Sequence, residues 1–138
     1  MRPFTPKAAC VVFGFLFVAC DAAERAARSE AAAVSRAIDA VRSAENAGKS
    51  APLTALRGTA CTVADICAVQ SFCVAAYEQH VGALGLLAEA KAGVATAPAA
   101  SVATTLAAAE QGLTRAKTLT DDCATRQGEM ARHYRVAR

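Results

Sequence analysis

The amino-acid sequence predicts an all-α fold in which a long antiparallel helical hairpin is joined by an N-terminal helix and stapled by disulfides. Three observations carry that expectation. Apolar residues recur at alternating spacings of three and four along three long segments, the rhythm of a single helix face. Gly and Pro gather between those segments, at 46–52 and 93–98. Four cysteines remain once a leader is set aside, and two of them sit at matching distances from the second break.

The chain opens MRPFTPKAACVVFGFLFVACD, a short arm bearing Arg2 and Lys7 followed by an apolar run from Ala8 to Ala19. That is the form of an export signal, and the run is too short to cross a bilayer, which needs about 20 apolar residues. Removing residues 1–19 from the 138 leaves 119, room for one small domain at 20–138. Phe17, Val18, Ala19 and Cys20 resemble the lipobox of bacterial lipoproteins, with Phe17 standing where that family usually carries Leu or another aliphatic residue. The resemblance covers this segment alone. It implies that the Cys20 thiol takes a diacylglycerol and becomes the new N-terminus, tethering the chain to the periplasmic side of a bacterial membrane. Asp21 then occupies the position that, in enteric-type lipoproteins, tends to retain the protein at the inner membrane. The rival reading is ordinary secretion with cleavage after Ala22 or Ala23, in which Cys20 is lost.

Charge narrows the range of partners. Of 15 basic residues, Arg2 and Lys7 belong to the signal, so 13 face 12 acidic ones in the remainder. A domain that neutralises nucleic-acid phosphates needs a large clustered positive excess, and this near balance argues against one.

The first helix is expected over about 22–47. This segment is rich in alanine, which favours helix, and Ala27, Ala31, Val34, Ile38 and Val41 form one narrow apolar seam. Such a seam packs within its own bundle or against another chain. At 46–52, Gly48 is placed for a left-handed C-cap and Pro52 for the first turn of a new segment, a short turn of helix before Gly58.

The second helix is expected over about 62–93, opened by a capping box of Thr62 and Asp65. Ile66, Val69, Cys73, Tyr77, His80, Leu84 and Leu87 form its seam, and Gly82 and Gly85 suggest close approach of another helix. The third is expected over about 98–133 along Val102, Leu106, Ala109, Leu113, Ala116, Thr120, Cys123, Gln127, Met130 and Tyr134. Thr120-Asp121-Asp122 resembles a fresh N-cap, so a kink or restart near 118–122 is the rival to a continuous third helix.

Subtracting Cys10 and Cys20 leaves Cys61, Cys67, Cys73 and Cys123, an even set that outside the cytoplasm reads as two disulfides. In a hairpin folded at Pro98, facing residues have numbers summing to about 196, which pairs Cys73 with Cys123. Cys61 then pairs with Cys67. Two residues six apart in one helix are about 9 Å apart along its axis, so this bond requires irregular backbone near residue 61.

Residues that could carry chemistry are few. Zinc on the four cysteines, with His80, is the sharp alternative, but the spacing of Cys61, Cys67 and Cys73 is wider than structural zinc sites use, so no metal or other cofactor is assigned. There is no C-x-x-C pair, no H-E-x-x-H and no phosphate loop. His80 and Glu78 are two apart and point to different faces, and no catalytic residue is assigned. Arg132, His133, Arg135 and Arg138 make a basic end that suits the negative pole of a helix, with contact to anionic head groups as the rival reading.

The sequence therefore predicts a lipid-anchored envelope protein of structural or interaction type, held to the membrane through Cys20, with an envelope protein as possible partner and no enzymatic activity. The alternative is a carrier of a small ligand or metal, with a pocket between helices near Gln70, Tyr77 and His80. The first reading predicts a filled seam and an exposed apolar strip on the first helix. The second predicts a cavity with converging polar groups.

Overall fold

The computed structural model describes residues 11–137, with side chains from Asp21 to Ala137. The N-terminal segment with Arg2 and Lys7, expected to open an export signal, the side chains of Phe17 to Cys20, and Arg138 lie outside the described residues. The fold is all-helical, with α1 at Val11–Ser43, α2 at Ser50–Gly58, α3 at Ala64–Gly93 and α4 at Ala99–His133. No helix among the described residues is long and apolar enough to cross a membrane.

The seam of α1 is buried as its periodicity predicts: Ala31, Val34, Ile38 and Val41 are fully enclosed. They pack against Leu53 and Leu56 of α2, Ile66, Cys73, Ala76 and Tyr77 of α3, and Cys123 and Met130 of α4. The first helix therefore leaves no apolar strip on its described surface. The expectation of one is corrected, because the large apolar residues left exposed among those described are Val94 and Leu106, far along the hairpin.

The end of α1 also differs from the expectation. No described glycine has a positive φ, so Gly48 is not a left-handed cap. The helix stops at Ser43, the chain makes a 3₁₀ turn at Asn46–Gly48, and the buried Lys49 supplies the cap. Its Nζ donates to the carbonyl oxygens of Val41 at 2.9 Å, Arg42 at 3.2 Å and Ala44 at 2.7 Å. The last carbonyls of a helix have no partner within it, and an ammonium has three donors to give them. Its positive charge also suits that pole of the helix. The next segment is a complete nine-residue helix rather than a turn, with Pro52 in its first turn, where a missing N–H costs no hydrogen bond.

The opening of α3 is capped from outside. Instead of Thr62 and Asp65 capping one another, Glu30 of α1 accepts the backbone N–H groups of Thr62 and Val63 at 2.8 Å each and the Thr62 hydroxyl at 2.7 Å. These donors hold the Glu30 carboxyl below its ordinary pKa. Asp65 instead accepts the phenol O–H of Tyr134 at 2.8 Å, tying the end of the chain to the start of α3.

The hairpin of α3 and α4 has the register inferred from the cysteines. Cys73 and Cys123 are bonded with Cα atoms 5.1 Å apart. Cys61 and Cys67 are bonded at 5.5 Å, and Cys61 lies three residues before α3, in the irregular backbone this bond requires. α4 runs without a break through 118–122. The hydroxyls of Thr114, Thr118, Thr120 and Thr125 each bond a carbonyl one turn back, and Asp121 pairs with Lys117, so none of these side chains starts a new helix. The close helix approach expected at Gly82 and Gly85 is elsewhere. Both glycines face open space, whereas a Cβ on Gly112 would lie 2.9 Å from that of Ala83.

These contacts divide the molecule into a base and an arm. The core cluster reaches no further along the hairpin than Val81 and Leu119. Beyond that, α3 and α4 continue as two helices alone for roughly 20 Å at 1.5 Å per residue.

Candidate functional site

The sequence-indicated residues fall into three groups. The four cysteines are joined in two disulfides, which leaves no thiolate for the zinc alternative. Glu30 lies close to Cys61 and Cys67, but those sulfurs are bonded to each other and the carboxylate already holds Thr62 and Val63. The Cys20 side chain lies outside the described residues.

The second group is the pocket expected near Gln70, Tyr77 and His80. Gln70 does not reach it; its buried amide donates to the carbonyls of Leu56 at 2.8 Å and Thr59 at 2.7 Å, joining α2 to α3. Tyr77 and His80 do come together, in a shallow recess of about 370 Å³ with Asn46, Lys49, Thr120 and Asp121. The His80 ring lies 3.4 Å from the Asn46 amide oxygen, and burial, with the Lys49 charge, pushes its pKa down. The Lys49 donors are already taken by α1. The recess therefore offers few free polar groups to a ligand.

A larger feature adjoins this recess, sharing Arg42 and Ala124 with it, where α1 runs beside the end of α4. An open groove of about 820 Å³ is lined by Arg25, Arg28, Arg36 and Arg42 of α1 and by Arg135 just beyond α4. The only carboxylate among its described lining residues is Asp39, which accepts from Arg42 at 3.0 Å and from the Gln127 amide at 3.0 Å. Ala32, Ala124, Val136 and Ala137 provide apolar lining.

Gln127 fixes the two walls relative to each other. It is buried, and its Nε2 donates to the Ser35 carbonyl at 3.1 Å and hydroxyl at 2.9 Å, while its Oε1 accepts from Arg42. Arg28 pairs with Glu24 at 3.1 Å through its terminal nitrogen, but its Nε is buried with no hydrogen-bond partner. An N–H withheld from water and from acceptors costs about 1–3 kcal/mol.

Arg135 is set into the groove by an unusual turn. Its φ is 52°, the single positive value at a non-glycine residue among the described residues. The Val136 N–H donates to the Ala131 carbonyl at 2.9 Å and the Arg135 N–H to that of Arg132 at 3.3 Å. This is the Schellman arrangement that usually places glycine at the left-handed position. Arginine there costs roughly 1–2 kcal/mol in backbone strain. Half-buried Val136 packs against the core and holds the turn in place.

Comparison with protein-family models, with curated proteins and with solved structures finds no match to this chain. The groove must therefore be read from its own chemistry. Of the basic end expected at 132–138, only Arg135 contributes to it among the described residues. The α1 wall did leave a trace in the sequence: Arg25, Arg28, Ala32, Ser35, Asp39 and Arg42 keep the same three-four rhythm as the apolar seam. Without α4 beside it, that line is indistinguishable from a solvated helix face.

Proposed function

We propose that the chain is a lipid-anchored cell-envelope protein of structural or interaction type, tethered through Cys20 on the periplasmic side of a bacterial membrane. The observation that carries this reading is the pairing of all four cysteines beyond Cys20, which suits an oxidising compartment. The lipobox-like residues Phe17 to Cys20 supply the means of attachment. A structural or interaction role is supported by the base, whose buried polar side chains are engaged in holding helices together. The arm carries the exposed Leu106 and Val94 and is the surface on which an envelope protein would be met. No enzymatic role is proposed.

Intact-mass analysis of the full-length product purified from membranes, before and after reduction, tests the reading. The expected result is a chain beginning at Cys20, heavier by its lipid, that gains the mass of four hydrogen atoms when its two disulfides are reduced. A mature terminus beyond Cys20, or four free thiols in the unreduced protein, overturns it.

A further inference from the structure

We infer that the arginine groove between α1 and the end of α4 binds a phosphate group, the chemistry shared by a phospholipid headgroup and a small phosphorylated solute. The reading of the chain as a lipoprotein does not enter this inference.

Charge is the first support. Five guanidinium groups line one groove, while basic and acidic residues beyond the leader are almost equal in number. The single described lining carboxylate is occupied by Arg42 and Gln127. Such a concentration of like charge stores repulsion that an anion relieves. All five are arginine rather than lysine, and the planar fork of donors matches phosphate oxygens two at a time. Arg28 is also paired with Glu24, so Arg25, Arg36 and Arg135 are the three lining guanidiniums without an ion pair among the described residues, still more positive charge than a lone carboxylate would neutralise.

The second support is the partnerless Nε of Arg28, a donor placed in the wall without an acceptor in the protein. The third is Arg135. A helix end of this kind is most comfortable with glycine, so the arginine is held against its backbone preference at the position that completes the groove. The apolar lining around Val136 accommodates the glycerol or alkyl portion next to the phosphate.

This last point allows binding and folding to be separated. Arg135→Gly removes a guanidinium and relieves the turn in one change. The full chain in neutral detergent micelles is titrated with glycerol phosphate, short-chain phosphatidylglycerol, short-chain diacylglycerol and acetate at constant ionic strength. The Arg28 Nε–H resonance reports occupancy.

Saturable shifts are expected with glycerol phosphate or phosphatidylglycerol. Similar affinities for the two identify a free-phosphate site, and phosphatidylglycerol about tenfold tighter identifies a headgroup site. Arg135→Gly is expected to weaken binding about tenfold while the melting temperature holds or rises. Arg57→Gln, on an arginine that pairs with Glu78 away from the groove, is expected to leave binding unchanged. The inference is overturned by the absence of saturation with either phosphate compound, by acetate or the phosphate-free diacylglycerol binding as tightly, or by Arg135→Gly binding like the parent.

Discussion

The base and the arm share the hairpin of α3 and α4, yet they are held together in different ways. In the base, four helices enclose Val34, Ile38, Leu56 and Ile66, and the end of α1, the end of α2 and the start of α3 are each secured by a charged or amide side chain from elsewhere in the chain. In the arm, the buried positions between the helices are Ala83, Ala90, Ala109 and Ala116, flanked by half-buried Leu84, Leu87 and Leu113. Alanine brings backbones close but buries little area at about 25 cal/mol per Å². The arm thus has close helix contact with little hydrophobic stabilisation, whereas the base has both apolar burial and specific polar pins. Stability should fall from base to tip.

The most severe way to test this contrast is at the junction. Replacing both Cys73 and Cys123 by serine removes the bond that closes the hairpin, for an expected loss of about 4 kcal/mol in urea unfolding. Amide exchange should show protection vanishing first in residues 82–117 while α1 and α2 retain theirs. Simultaneous loss in both regions would mean that base and arm are a single cooperative unit.

A smaller effect probes the base alone. Lys49→Met keeps the length of the side chain but leaves three carbonyls at the end of α1 without their donor, for an expected loss of about 2–3 kcal/mol. Thermal denaturation measures it, and a change within about 0.5 kcal/mol, that of an ordinary surface substitution, would show that the cap contributes little. The smallest effect belongs to the arm. Gly112→Ala forces α3 and α4 apart at Ala83 and should cost about 1–2 kcal/mol. Gly82→Ala, which meets nothing within 4 Å, should stabilise by up to about 1 kcal/mol. Equal signs for the two variants would contradict the close approach.

The parts of the fold that depend on periodicity were legible in the sequence. The α1 seam, the register of the hairpin and both disulfides follow from spacing, because a helix converts sequence intervals into faces and a hairpin converts distance from a turn into neighbours. The caps were not legible in this way. Glu30 meets Thr62 across 32 residues and Lys49 reaches back over a turn whose geometry sequence pattern does not specify, so local motifs at Gly48 and at Thr62-Asp65 were favoured instead. The same limit hid the candidate site. Arg28 and Arg135 become neighbours of one groove only after α1 has docked beside α4, with Gln127 setting the spacing.

The equal intervals separating Cys61, Cys67 and Cys73 leave an unfolded chain with no reason to prefer one neighbour over the other for the middle thiol. Because α3 begins at Ala64, it contains the second and third of these residues but not the first. Once the helix winds, it turns Cys67 and Cys73 to different sides and holds them about 9 Å apart along the axis, beyond bonding distance. Secondary structure then acts as the proofreader of oxidation: the wrong neighbour is excluded by geometry, and the remaining thiol is left to find its distant partner on α4.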